Sequence, residues 1–155
     1  MSNPFMARAI QLSVENVRSG QGGPFGAVVV HAAEIIAEGV NLVTVINDPT
    51  AHAEVMAIRN ACAKLKMFEL KDCEIYTSCE PCPMCLGAIY WTRLSRIYFA
   101  SSAADASEVG FDDSFIYREF AHPSTKRSIP MVQMMRDEAM AAFHQWQKKP
   151  DKTSY

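Results

Sequence analysis

Two short segments of the sequence contain residue types that bind metal ions. Residues 52–54 read HAE and residues 82–85 read CPMC. The neutral imidazole of His52 and the thiolates of Cys82 and Cys85 would balance the charge of a divalent zinc ion. Three protein ligands leave the fourth tetrahedral position for water, which is typical of a catalytic zinc site. We therefore expect these side chains to bind one Zn²⁺ per chain.

Glu54 lies two residues after His52 and is the candidate for moving protons. A carboxylate beside a zinc-activated water can accept its proton and pass it to a substrate. Residues i and i+2 do not face each other within a helix. The two side chains can therefore converge only if the helix is just beginning, and we predict that it begins within a residue or two of Asp48–Thr50, whose side chains can cap it.

The elements that must position these residues are predicted from periodicity and turn signals. An opening strand pair is followed by strands that alternate with helices, which predicts an α/β fold with a three-layer α/β/α sandwich around a five-stranded mixed sheet. Both motifs would then begin helices at the carboxyl ends of neighbouring strands, within one domain of residues 1–155. The predicted helices are 4–18, about 48–66, 83–93, 114–121 and 137–148, and the predicted strands are 26–31, 35–41, 73–78, 96–101 and 131–136.

Another metal chemistry is suggested by the spacing of three cysteines. Cys79, Cys82 and Cys85 form C-x-x-C-x-x-C, which opens an iron–sulfur pattern, but the fourth cysteine of that pattern would fall at position 89, which is Ile. Cys62, Cys73 and Cys79 are instead predicted to be buried apolar side chains. A non-enzymatic zinc module also remains open, and it predicts a closed four-ligand site.

Composition limits the partners and the compartment. The net charge is −2, without the basic excess that nucleic-acid binding normally requires. Arg8, Glu15 and Arg18 interrupt any apolar leader, and the apolar stretch 25–37 is too short to span a bilayer. We therefore predict a cytoplasmic protein with no nucleic-acid or membrane partner, in which five cysteines indicate metal binding before disulfides.

The combination of the two motifs is more specific than either alone. H-x-E followed about thirty residues later by P-C-x-x-C is the pattern of zinc-dependent deaminases. The chain resembles the cytidine and nucleoside deaminase superfamily and, within it, the bacterial guanine deaminases over almost its whole length. The segments that carry this resemblance are GGPFGAV (22–28), NDPTAHAEV (47–55), YTSCEPCPMCLGAIYW (76–91), GFDDSFIY (110–117) and the last residue, Tyr155. GFDDSFIY and Tyr155 point to the guanine branch.

The resemblance implies roles for five further residues. Asn41 would hydrogen-bond the purine, Phe25 and Trp91 would stack on it, and Asp113 would read its edge. Tyr155 would close over an active site, which in similar enzymes belongs to the partner of a homodimer that exchanges its C-terminal segments. In this chain that segment would be about residues 131–155.

The residues alone leave several of these roles open. Asn41 could cap a turn, Phe25 and Trp91 could belong to the core, and Asp112 and Asp113 could cap the following helix. The resemblance implies zinc-dependent hydrolysis of guanine to xanthine and ammonia. The alternative is another deaminase of the superfamily, acting on tRNA adenosine, cytosine or ammeline.

Overall fold

The protein is described by a computed structural model that covers residues 3–155, and these residues form two units. The first unit ends at Asp113 and the second consists of Ser114–Tyr155. The first contains α1 (Pro4–Arg18), β1 (Gly26–His31), β2 (Glu34–Val40), α2 (Ala53–Leu65), β3 (Cys73–Cys79), α3 (Pro83–Trp91), β4 (Arg96–Ser101) and α4 (Ala103–Glu108). The second contains α5 (Ser114–Ala121), a 3-10 helix (Ser124–Lys126) and α6 (Arg136–Lys148).

The sheet of the first unit has the strand order β2-β1-β3-β4. β1 is antiparallel to both β2 and β3, whereas β3 is parallel to β4. The predicted mixed sheet is confirmed. The strands that precede the two motif helices, β2 and β3, were expected to be neighbours, but β1 lies between them. The carboxyl ends of β2, β3 and β4 therefore share one edge of the sheet with the amino end of β1.

Helices cover both faces of this sheet, which confirms the three-layer α/β/α arrangement. Side chains of a strand alternate between faces, so Val28 and Val30 of β1 pack with Ala9 and Leu12 of α1. The opposite face of β1 packs under α2 and α3. That second core consists of Ala27, Val29, Ala37, Ala53, Ala57, Ile58, Ala61, Leu70, Cys73, Ile75 and Ile89. A Cβ at Gly39 would collide with the backbone of Ala53 and Ala57, so glycine there lets α2 lie directly on β2.

α2 begins later than the sequence predicted. Its first residue is Ala53, whereas the prediction was a start near 48–50. Asp48 Oδ1 accepts hydrogen bonds from the backbone N and the hydroxyl of Thr50, at 2.8 and 2.6 Å. The pattern that resembled a helix cap is thus a local turn in the loop before the helix.

The predicted fifth strand is absent from the described residues. The sheet there has four strands, residues 131–135 have no regular structure, and α6 begins at Arg136. The apolar side chains that suggested a strand are 65–79% exposed. A run of apolar residues indicates that a segment tends to bury its side chains. It does not show that a neighbouring strand is available for pairing.

Among residues 3–155, no helix is both long enough and apolar enough to span a membrane.

Candidate metal and substrate site

His52 and Cys82 occupy equivalent positions at the start of two helices. His52 is the N-cap of α2 and Cys82 is the N-cap of α3, and both have extended backbone conformations. Neither side chain caps its helix by a hydrogen bond. Because the N-cap side chain is not used to satisfy the helix N–H groups, it can serve as a ligand beside the positive end of the helix dipole.

The three predicted zinc ligands converge. Nδ1 of His52 lies 3.5 Å from Sγ of Cys82 and 3.5 Å from Sγ of Cys85. The three ligand atoms all lie within 4.8 Å of one another. Tetrahedral zinc, with its usual Zn–N and Zn–S bond lengths, requires about 3.6 Å between nitrogen and sulfur ligands. The donor types and their spacing therefore fit zinc.

Hydrogen bonding between the two ligand thiols shifts their pKa values in opposite directions. The hydrogen bond from Cys85 lowers the pKa of Cys82 to about 4, with help from His52. The same hydrogen bond and burial raise the pKa of Cys85. A bound divalent cation would favour the thiolate form of both cysteines.

Glu54 lies beside this group with its side chain buried. It is 8% exposed, and its Oε2 accepts a hydrogen bond from Cys85 Sγ at 3.4 Å. Two residues that are two positions apart within a helix do not face each other. His52 and Glu54 can converge because His52 precedes α2 and only Glu54 is helical. Burial raises the pKa of Glu54, which favours uptake of a proton by this carboxylate.

Phe25 and Asn41 lie together at the same edge of the sheet. Asn41, which follows β2, is buried, and its backbone N donates to the carbonyl O of Phe25 at 3.3 Å. Its Oδ1 accepts from the backbone N of Val43 at 3.3 Å, so the turn interpretation of Asn41 also holds. The ring of Phe25 packs edge-on against Phe111, with 4.9 Å between centroids. Sequence reasoning missed Phe111, although it directly precedes the two aspartates.

The two aspartates differ in their surroundings. Asp113 is half-buried, whereas Asp112 is exposed. Burial raises the pKa of Asp113, and the nearby charge of Cys82 raises it further. Asp113 is therefore the more enclosed of the two carboxylates, and it lies near enough to Cys82 for their charges to interact.

Trp91 belongs to the first unit and Tyr155 to the second. Trp91 ends α3, nine residues after Cys82, which corresponds to about 13 Å along the helix. Its side chain is 63% exposed, and the Arg93 guanidinium lies 6.0 Å from its ring centroid. Tyr155 belongs to the second unit and is 73% exposed. Their roles as substrate contacts stay predictions.

The remaining cysteines lie outside the metal group. Cys73 and Cys79 are buried as predicted, whereas Cys62 is half-buried. The Cys79 thiol donates to the carbonyl O of Ser102 at 3.6 Å, and burial raises its pKa to about 11. Over residues 3–155, the His52, Cys82 and Cys85 group is the one in which three metal-binding side chains converge.

Comparison with known proteins agrees with this site. The profile of the cytidine and deoxycytidylate deaminase zinc-binding region matches residues 2–101. Guanine deaminase of Bacillus subtilis is 54% identical over 97% of each chain. An X-ray structure of guanine deaminase from Bacillus subtilis superposes with a TM-score of 0.96, at 52% identity, over 100% of this chain and 99% of that one. A tRNA-specific adenosine deaminase of Haemophilus influenzae is 43% identical, over 58% of this chain and 56% of its own. The chain therefore belongs to the cytidine and deoxycytidylate deaminase family of zinc-binding proteins.

Proposed function

We propose that this protein hydrolyses guanine to xanthine and ammonia at a zinc site formed by His52, Cys82 and Cys85. The observation that carries the chemistry is the buried Glu54 carboxylate, hydrogen-bonded to one of three converging ligands. The choice of guanine is supported by a guanine deaminase relative that matches 97% of the chain, including the residues beyond the zinc-binding region.

The proposed reaction assigns the proton transfers to Glu54. When bound to its three ligands, zinc supplies an activated water by lowering the pKa of that water to about 7. Glu54 accepts one proton from the water that attacks C2 of guanine, and it delivers this proton to N3. Glu54 then carries the second proton from the new C2 hydroxyl to the amino group. The C2–N bond breaks, ammonia leaves, and C2 keeps the oxygen found in xanthine.

The proposed recognition of the base uses residues at the same sheet edge. Because Oδ1 of Asn41 is engaged by Val43, its Nδ2 group is the donor offered to a purine acceptor such as O6. Phe25, supported edge-on by Phe111, would stack on the ring. An ionised Asp113 accepts hydrogen bonds only, so it suits the N1–H and amino donors of guanine. Adenine has no proton on N1 and would leave this carboxylate unpaired.

The nearest competing function is deamination of adenosine in tRNA. It would need a surface that binds phosphates, and the net charge of −2 does not favour one. The tRNA-specific relative matches 58% of the chain, whereas the guanine deaminase relative matches 97%. Whole-length identity therefore favours the free base as substrate.

An ammonia-release assay on zinc-loaded protein tests this proposal. Guanine, guanosine, adenine, cytosine, ammeline and an adenosine-containing tRNA anticodon stem are compared at equal concentration, and xanthine is identified by its absorbance. We expect guanine to be turned over at least tenfold faster than the other substrates. Faster turnover of any other substrate would overturn the guanine assignment, and zinc-loaded protein inactive on all of them would overturn the enzyme assignment.

We further propose a homodimer, in which the segment 131–155 of each chain is exchanged and Tyr155 of the partner subunit closes the site. The support is the exposure of apolar side chains in this segment, including Val132 and Phe143 at 79% and 65%. The exposed ring of Trp91 would then take part in the same contact between subunits. A solution mass equal to one chain would contradict the dimer.

The proposed compartment is the cytoplasm, because a reducing compartment keeps the ligand thiols reduced.

A further inference from the structure

We propose that Asn16 of α1 is a positioning residue for the purine pocket, which holds the backbone at Phe25 and at Asn41 in fixed relative places. The inference rests on the proposed function in one respect, namely that Phe25 and Asn41 contact the base. Asn16 itself belongs to a helix on the other face of the sheet from α2 and α3, and neither the motifs nor the resemblance singled it out.

The side-chain amide of Asn16 bridges two segments of the pocket. Its Nδ2 donates to the carbonyl O of Gly23 and to the carbonyl O of Asn41, each at 2.9 Å. The residue is 3% exposed. The bridge joins the loop that carries Phe25 to Asn41, which directly follows β2 and lies 25 positions after Asn16.

The loop between α1 and β1 packs closely around this bridge. A Cβ at Gly22 would collide with the carbonyl O of Asn41 and press on Nδ2 of Asn16. Beyond Phe25, the backbone N of Gly26 donates to Ser78 Oγ at 3.0 Å. The Phe25 segment is therefore held from α1, from β2 and from β3, and Asn16 supplies the link to α1.

The chemistry of the amide explains why an asparagine suits this position. Two carbonyl oxygens face one NH₂ group, and an amide provides two N–H donors from a single atom. Oδ1 of Asn16 is buried without a hydrogen-bond partner among the described residues. The two N–H donors therefore orient the side chain. Burying Oδ1 without a partner destabilises the fold, and the two hydrogen bonds of the bridge must offset that free energy.

The test replaces the donors without changing the size of the side chain. In Asn16→Asp, carboxyl oxygens would face the two carbonyl oxygens and repel them. Asn60→Asp is the matched control, because Asn60 Nδ2 also donates to a backbone carbonyl, that of Glu38 at 2.8 Å, but on the exposed side of α2. The kcat, the KM and the zinc content are measured for the base that the wild-type protein turns over fastest.

We expect N16D to raise KM about tenfold, with kcat within about twofold and zinc unchanged, because loss of uniform binding appears in KM alone. N60D should leave all three values unchanged. Equal KM values in N16D and N60D, or a fall in kcat that follows zinc loss, would overturn the positioning role. Wild-type protein without guanine turnover would instead overturn the proposed function.

A second variant covers a failure of N16D to fold. Asn16→Ala removes the donors without introducing charge, and the same rise in KM is expected. If both variants are unfolded by circular dichroism while N60D is folded, Asn16 is a structural residue of the core and the positioning role is wrong.

Discussion

The two units of the chain differ in whether they bury side chains. In the first, residues 3–113, alternate strand residues pack against helices on both faces, and the metal group rests on that core. In the second, Ser114–Tyr155, no side chain is buried, and Ile129, Val132, Met134 and Phe143 are all more than 60% exposed.

The difference indicates which unit can fix a reactive site and which unit presents a surface for association. Ligand atoms must be placed with a tolerance of about 0.5 Å, and this precision needs side chains that are fixed by packing. An apolar surface that is exposed over many residues is typical of an interface. We therefore expect substitutions in the first unit to change chemistry and substitutions in the second to change assembly.

The largest effect is expected at Glu54. Glu54→Gln keeps the size of the side chain but removes the proton acceptor, so kcat should fall by about 10²–10⁴-fold. Zinc content should stay near one ion per chain, because Glu54 is not among the three converging ligands. Glu15→Gln, on the exposed face of α1, is the control. Full activity in a zinc-loaded E54Q protein would rule out the proposed proton transfer.

The next largest effect is expected in the second unit. Phe143 and Trp146 are three residues apart on α6 and share a face of that helix. Changing both to Glu should dissociate the proposed dimer, with a dissociation constant at least thirtyfold higher, because buried aromatic anchors dominate interfaces. Sedimentation measures the mass, and Gln147→Glu on the same helix is the control. An unchanged mass in the double variant would remove the contrast between the units.

A smaller effect is expected for Asp113, the residue that ends the first unit. Asp113→Asn should lower kcat/KM for guanine by about 10–100-fold, because one carboxylate oxygen proposed to accept from guanine is replaced by an NH₂ donor. Zinc content should not change. Asp112→Asn is the matched control and should lose less. The reverse order of the two losses would assign base recognition to Asp112, and equal loss of activity and zinc in D113N would contradict a recognition role.

The smallest effect is expected at an ion pair on the surface of the first unit. Arg8 donates to both carboxylate oxygens of Glu38, at 2.7 and 2.8 Å, and this hydrogen bonding lowers the pKa of Glu38. Because the pKa of Glu38 is lower in the folded protein, the pair stabilises the fold at pH values above the pKa of Glu in the unfolded chain, about 4.3. This stabilisation is lost as the pH falls through the pKa of Glu38 in the folded protein.

Glu38→Gln should therefore reduce the free energy of unfolding by about 0.5 kcal/mol at pH 7, since exposed pairs contribute little. The difference from the wild-type protein should shrink as pH falls below about 4. Urea denaturation at both pH values measures it, and Glu34→Gln on the same strand is the control. A loss of several kcal/mol would show that the first unit depends on this pair more than on its core.

Much of the fold followed from local pattern. α1, β1, β3, β4 and α6 lie within one residue of their predicted bounds, because alternation and helical periodicity are set by neighbours in the sequence. β2 and α3 are displaced by no more than two residues at either end. The error at the start of α2 arose because an Asp–Pro–Thr turn and a helix cap use the same residue types.

The sequence by itself determined the chemistry of the metal group, since a histidine, two cysteines and a glutamate at these spacings suit a zinc-dependent deaminase. Only the tertiary structure placed β1 between β2 and β3, supported Phe25 with Phe111, and joined Asn16 to Asn41. It also left residues 131–135 without a strand to pair with. The physical reason is distance along the chain. Ligand chemistry depends on which atoms are present, whereas strand order and long-range contacts depend on how segments tens of residues apart bury their surfaces together.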